Sequence, residues 1–298
     1  MDDVTFDGQV AVVTGAGRGL GRAHALGLAS RGARVVVNDV GGGVDGMGSS
    51  ATPASEVVAE IEQLGGEAVA DTTSVGSPEG GEAIVQRALD AFGRVDIIVN
   101  NAGILRDKSF GNMTPDMVRD VFNVHLEGTF WVTKAAWPHL RDQSYGRVIA
   151  TSSMGGYLGN YGQTNYGTAK MGLIGFVKAL AVEGARYGIK ANAIAPAAYT
   201  RMNDELGLPE EAKRLTPELV SPAVLFLAHK DCPVSGDVLA VGGGRVARVV
   251  FGETEGFFDP DLTVEQVRDR WDDIADVGTF KELRTVEDGF EMFFKHFT

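Results

Sequence analysis

A chain of 298 residues with 44% hydrophobic and 22% charged residues is long enough to bury a sizeable core, and it has no apolar run of the ~18 residues needed to span a bilayer. A net charge of −13 excludes nucleic acid as the expected partner, because phosphate backbones are held by clustered Lys and Arg. Cys232 is the single cysteine, the five histidines lack close ligand spacing, and the acidic start at Asp2, Asp3 and Asp7 is unlike a secretory signal; these point to no disulfide, no metal, no membrane and a cytoplasmic location.

An apolar run over 9–14 ends at glycines and is followed by a helical pattern over 20–31, which reads as strand, turn and helix. The turn, Thr14-Gly15-Ala16-Gly17-Arg18-Gly19-Leu20-Gly21, suits a pyrophosphate, which backbone N–H groups and a helix N-terminus can approach closely. Gly15, Arg18, Gly19, Leu20 and Gly21 are therefore candidate cofactor contacts.

The second run, 33–38, leads to Asp39, eighteen residues after Gly21, where a carboxylate accepts hydrogen bonds from the adenosine ribose and repels a 2′-phosphate. No Lys or Arg occurs between Arg34 and Arg87 to neutralise such a phosphate, so the cofactor reads as NAD rather than NADP. Arg18 is the contrary feature: in the glycine turn it is either a solvated loop charge, the favoured reading, or a ligand for that phosphate.

A Gly/Ser-rich insertion over 41–54 reads as an irregular loop at the carboxyl edge of the sheet. Beyond it, apolar runs at 67–70, 95–100, 146–152, 189–194 and 237–241 alternate with helical stretches near 55–64, 79–92, 115–141, 165–187 and 217–229. This alternation predicts an α/β fold with a doubly wound parallel sheet, a Rossmann fold, as one NAD-binding catalytic domain over 1–245.

After about Arg245 the rhythm stops, leaving an acidic C-terminal extension over 246–298. Residues 253–298 alone carry 13 Asp/Glu against five Lys/Arg. Phe290, Phe293, Phe294 and Phe297 at i, i+3, i+4 and i+7 predict an amphipathic helix that packs on the body or on a partner subunit.

Within the stretch 165–187, Tyr166 and Lys170 stand four residues apart and share a helix face. A tyrosine with an ordinary pKa near ~10 acts as a base near neutrality only if that value falls by about 3 units, or roughly 4 kcal/mol. A neighbouring ammonium and a positive nicotinamide ring can supply such a field. The pair alone is common enough to arise by chance.

Corroboration comes from order. The glycine turn, Asn100-Asn101-Ala102-Gly103 after the fourth strand, Asn123, Ser153 thirteen residues before Tyr166, and the Tyr166/Lys170 pair resemble, over about 7–245, the short-chain dehydrogenase/reductases. The resemblance implies oxidoreduction between an alcohol and a ketone. Tyr166 would be the acid/base, Ser153 the holder of the substrate oxygen, Lys170 the binder of the nicotinamide ribose, and Asn123 the support for a water linking the lysine to solvent.

It also places Ser74, Val75, Asn101, Ala102, Gly103 and Pro196 around the cofactor. Ser152 is the alternative to Ser153, which the offset favours, and Asn123 is alternatively a helix cap or kink. Ser74-Val75 stands where the family has Asp-Val, and Pro196-Ala197 where it has Pro-Gly, before a substrate lid over about 198–216.

Longer segments, among them 37–42, 101–110, 135–137 and 159–163, resemble one branch of that family, the (3R)-hydroxyacyl-CoA dehydrogenase units of peroxisomal multifunctional enzymes and their bacterial relatives. That resemblance implies oxidation of a (3R)-hydroxyacyl-CoA with NAD by a homodimer or homotetramer built on the helices 115–141 and 165–187. Candidate cations for coenzyme A phosphates are Arg106, Lys108, Arg201, Lys213, Arg214, Arg245 and Arg248. A hydroxysteroid or steroid side-chain CoA substrate, a carrier-protein reductase using NADPH, and a non-catalytic NAD sensor are the competing readings.

Overall fold

The computed structural model describes residues 3–200 and 210–297. These fall into two compact units, Met1–Arg248 and Val249–Thr298.

The first unit carries strands β1 (Val10–Thr14), β2 (Arg34–Asn38), β3 (Glu67–Asp71), β4 (Ile97–Asn100), β5 (Gly146–Thr151), β6 (Ile189–Pro196) and β7 (Val238–Gly242), and β8 (Arg245–Val249) reaches its boundary. They form one sheet in the order β3-β2-β1-β4-β5-β6-β7-β8, and β1 to β7 pair in parallel throughout. Every residue of β1, β4 and β5 is buried, which is why these strands read as continuous apolar runs rather than alternating ones. The eighth strand follows β7 through the two-residue turn Gly243-Gly244, both at positive φ. Its exposed residues carry no apolar run, so the sequence pattern does not reveal it.

Helices α1 (Gly19–Ala29), α2 (Thr52–Gln63), α3 (Pro78–Phe92), α4 (Pro115–Phe122), α5 (Gly128–Asp142), α6 (Met154–Tyr157), α7 (Thr164–Gly184) and α8 (Ser221–Ala228) flank the sheet. The single helix expected over 115–141 is interrupted: residues Asn123–Glu127 form a π turn between α4 and α5. The insertion after β2 is a loop that folds back on itself. The Ser50 N–H donates to the Val40 carbonyl (2.9 Å), and the Val44 carbonyl accepts from Leu105 N–H (3.0 Å), tying the insertion to the loop after β4.

The second unit holds a two-stranded antiparallel sheet of β9 (Gly252–Glu253) and β10 (Lys281–Glu282), with helices α9 (Val264–Asp269), α10 (Trp271–Ile274) and α11 (Val286–Phe294). The predicted phenylalanine helix is present, but it ends at Phe294, so Phe297 lies beyond it. Phe290, Phe293 and Phe294 remain exposed.

Candidate active site

The sheet order reverses between β1 and β4, and in open sheets of this kind ligands bind beyond the carboxyl ends at that switch point. The sequence motifs converge there. Thr14, the last residue of β1, accepts hydrogen bonds at its hydroxyl from the N–H groups of Asn101 (3.0 Å) and Ala102 (3.1 Å), and the Asn101 amide donates to the carbonyls of Thr14 and Gly15 (both 3.1 Å). Asn101 thus stitches the two loops together.

Gly15 takes a φ of +62°, and a Cβ there would stand 2.8 Å from Ala102 Cα. One on Gly21 would stand 2.2 Å from the Gly15 carbonyl. A side chain is therefore excluded at Gly15 and at Gly21. The first turn of α1, containing Leu20, has no acidic residue, and Arg18 at its N-cap makes no capping hydrogen bond and is exposed. The free N–H groups of Gly19 to Gly21 suit a phosphate.

Asp39 follows β2 and accepts from Gly17 N–H (2.8 Å) on one carboxylate oxygen and Gly41 N–H (2.7 Å) on the other. Each oxygen keeps a lone pair for a ribose hydroxyl. Ser74 turns its hydroxyl into its own loop, accepting from Gly76 N–H (3.3 Å), and Val75 is buried beside Gly128. Pro196 ends β6 in register with Val241. Of the proposed lid, residues 201–209, including Arg201, lie outside the described residues.

Ser152 and Ser153 follow β5 and separate cleanly. Ser152 is buried and donates to the Lys170 carbonyl (2.8 Å), which anchors α7 to the sheet, while the Ser153 hydroxyl accepts from Gly155 N–H (3.1 Å) and lies close enough to the Tyr166 phenol to lower its pKa. Lys170 is buried with its Nζ 2.5 Å from the Thr151 carbonyl and 5.5 Å from the centre of the Tyr166 ring. Hydroxyl, phenol and ammonium thus sit in one cluster beside the cofactor crevice.

A family model described as short chain dehydrogenase matches residues 9–211. The chain belongs to the short-chain dehydrogenases. It is similar to a short-chain type dehydrogenase/reductase of Mycobacterium tuberculosis, 50% identical over 92% of this chain and 96% of the relative. The full-length peroxisomal multifunctional enzyme type 2 of Drosophila melanogaster superposes with a TM-score of 0.83 at 37% identity, over 98% of this chain. This dehydrogenase spans 50% of that enzyme. A 7α-hydroxysteroid dehydrogenase complexed with NADH and 7-oxo glycochenodeoxycholic acid superposes with a TM-score of 0.74 at 31% identity, covering 83% of this chain and 98% of that one. The dehydrogenase is accordingly an oxidoreductase acting on hydroxyl groups, of a family that uses NAD or NADP.

Electrostatics in the cluster pull in opposite directions. Burial lowers the Lys170 ammonium to about 7, so the side chain is poised between charged and neutral near physiological pH. Burial raises the Tyr166 phenol, the Ser153 hydrogen bond offsets part of that rise, and Asp107 adds to it. In the protein alone the phenol is therefore a poor base. Positive charge beside it, from Lys170 and from an oxidised nicotinamide, is what the site requires.

Asn123 opens the π turn, and its amide faces the loop after β3, where a Cβ on Gly76 would stand 2.5 Å from Nδ2. The side chain that reaches Tyr166 is His125, two residues on. Its ring meets the phenol edge-on at 5.3 Å and 88°. A residue two places from the motif position, on an otherwise apolar stretch, gave no sign of this in sequence.

Among the cations considered for coenzyme A, Arg106 is paired with Asp120 (3.2 Å), Lys213 with Glu210 (2.9 Å) and Arg248 with Asp237 (3.9 Å), while Lys108, Arg214 and Arg245 are exposed. Among the described residues no group of three His, Cys, Asp or Glu is arranged to hold a metal, and no helix is long and apolar enough to cross a membrane.

Proposed function

We propose that this dehydrogenase oxidises a (3R)-hydroxyacyl-CoA to the 3-oxoacyl-CoA with NAD. The observation that carries the reaction is the cluster of Ser153, Tyr166 and Lys170 at the carboxyl edge of the sheet, in a chain whose glycine turn after β1 leaves no room for a side chain at Gly15 or Gly21.

A bound oxidised nicotinamide would supply the acceptor for the hydride of the carbinol carbon. The rest is the chain's work. Ser153 holds the substrate oxygen, the Tyr166 phenolate takes the hydroxyl proton as the carbonyl forms, and Lys170 supplies the positive charge that makes the phenolate accessible. Asp39, with no cation in the insertion that follows it, supports NAD over NADP.

Likeness to a hydroxyacyl-CoA dehydrogenase of Mycobacterium tuberculosis, 39% identical over 87% of this chain and 84% of the relative, supports the acyl-CoA substrate. The hydroxysteroid reading rests on the likeness to the 7α-hydroxysteroid dehydrogenase. A homodimer through α5 and α7 accounts for the exposed apolar side chains Phe130, Met171 and Val182 on these helices.

The test is a panel of (3R)- and (3S)-hydroxyacyl-CoAs and hydroxysteroids, each with NAD and NADP, followed by nicotinamide absorbance. Turnover confined to the (3R)-acyl-CoAs with NAD is the expected result; turnover of steroids alone would move the assignment to the second reading. Tyr166→Phe should cost roughly 100- to 10,000-fold in kcat while NADH still binds. A variant that stays active would remove Tyr166 from the chemistry, and a wild type that binds NADH but turns nothing over would favour a sensor.

A further inference from the structure

Three segments close a ring at the carboxyl edge of the sheet. Residues 14–17 after β1 are joined to the loop after β4 by the hydrogen bonds that Asn101 and Ala102 make to Thr14 and Gly15. They are joined to the end of β2 by Gly17 N–H on the Asp39 carboxylate (2.8 Å) and Ala16 N–H on the Asn38 carbonyl (2.9 Å). The insertion completes the circuit. From Asp39 it runs to Val44, whose carbonyl accepts from Leu105 N–H (3.0 Å), and Leu105 leads back through Gly103 to Asn101. The carboxylate proposed for the adenosine ribose is itself a link in this ring.

The links are unequal. At the neck of the insertion Ser50 N–H donates to the Val40 carbonyl (2.9 Å), and a Cβ on Gly41 would stand 1.9 Å from the Ser50 carbonyl oxygen. Its exit is pressed onto the glycine turn, where a Cβ on Gly17 would stand 2.7 Å from Pro53 Cβ. The tip is held more lightly. Besides the Val44–Leu105 hydrogen bond, Gly46 rests on the buried Ile104, its Cβ position 3.1 Å from Cγ2, and Met47 Sδ lies 3.7 Å from Arg106 Nη2. Residues 45–50 are exposed, and Gly41, Gly46 and Gly48 take positive φ, which gives the loop hinges that other residues would strain. Exposed loops with few buried contacts open at a small fraction of the free energy of global unfolding.

We propose that the insertion over 41–50 is a strap that closes across the adenosine half of the dinucleotide crevice and sets the rate at which the cofactor enters and leaves. This rests on Asp39 as the ribose ligand. A dinucleotide whose ribose meets Asp39 and whose pyrophosphate lies at Gly19 to Gly21 has to pass between the insertion and the loops after β1 and β4, and the Val44–Leu105 tie bounds that passage. With the tip lifted from Ile104 and Leu105 the ring is open; with the tip seated the adenosine is enclosed. The floor, Thr14 with Asn101, stays in place because its bonds lie elsewhere in the ring. The tie that must break joins protein to protein, so it slows association and release by the same factor and leaves the affinity nearly unchanged. A loop that gripped the cofactor directly would slow release alone.

The experiment is stopped-flow fluorescence of NADH binding and release in the full chain, for wild type, a variant lacking residues 43–48, and Gly46→Val, whose side chain has no room against Ile104 and parts the tip from the loop after β4. Circular dichroism and saturable NADH binding check that each variant is folded. In the shortened variant the association and release rate constants should both rise about 10-fold, with Kd within about threefold of wild type, as expected when a closure step is removed. In Gly46→Val both should rise by a smaller factor.

Unchanged rates in the folded variants overturn the proposal. So does faster release with unchanged association, which would make the insertion a direct cofactor contact. If the shortened chain does not fold, Gly46→Val carries the same test with the whole body in place. A failure of the ribose placement is distinguishable, because it would appear as Asp39→Ala binding NADH as tightly as wild type.

Discussion

At the scale of single residues the site is a set of opposed demands. In the proposed reaction Lys170 acts through its charge, and it is buried where charge is costly, so its pKa falls from 10.5 to about 7. The sign of the linked effect on stability follows. Between these two values the unfolded chain holds a proton on Lys170 that the folded chain does not, so this group makes the protein more stable as pH rises from 7 to 10, by roughly 1.4 kcal/mol per unit. Denaturant titrations at several pH values should show that slope in wild type and not in Lys170→Met. The variant should be inactive yet, at pH 7 and without cofactor, more stable by a few kcal/mol on the same order-of-magnitude estimate. A less stable Lys170→Met would mean that the Thr151 carbonyl contact outweighs the cost of burial. Asp39 poses the complementary case, a carboxylate already held by two backbone N–H groups in the orientation a ribose needs. Its replacement by Ala should raise the KM for NAD roughly 10- to 100-fold, as loss of charge-assisted hydrogen bonds implies, and narrow the gap to NADP. Steady-state kinetics with both cofactors decide it.

Among the elements, the π turn at Asn123–Glu127 has the largest consequence for the site. Residues two apart on a regular helix point about 200° away from each other, so 123 and 125 cannot both face α7. The turn, and the space left by Gly103, settle in favour of His125. Gly103→Ala should therefore displace the imidazole. A loss of roughly 1–3 kcal/mol in stability, as for other overpacked interiors, together with a marked fall in kcat, is the expected outcome in thermal melts and turnover assays. Unchanged activity would show that the ring can move without harm. The insertion after β2 also gains a purpose: through Val44 and Leu105 it braces the loop that carries Gly103 and Ile104. Its glycine-rich composition announced a loop, but the partner of that loop lies some sixty residues away in the chain.

For the whole molecule the contrast is between two units with different means of support. The first is built on a sheet whose central strands are wholly buried, whereas no residue from 249 to 297 reaches the buried class. Fifty residues without a core do not repay their conformational entropy. Residues 249–298 expressed alone should be unfolded by circular dichroism, while a chain ending at Val249 should still bind NADH, since every residue proposed for cofactor binding or catalysis precedes that point. A folded isolated segment would contradict this account. The sequence by itself determined the alternation of strands and helices, the glycine turn, Asp39, and the ordered serine, tyrosine and lysine, because each is a local pattern or a fixed spacing along one element. The offset along the chain already favoured Ser153 over Ser152; tertiary structure alone decided where the Asn123 amide points and that the His125 ring meets Tyr166. These depend on how a kinked helix packs against α7 and the loop after β4, and contacts between distant segments leave no period in the chain.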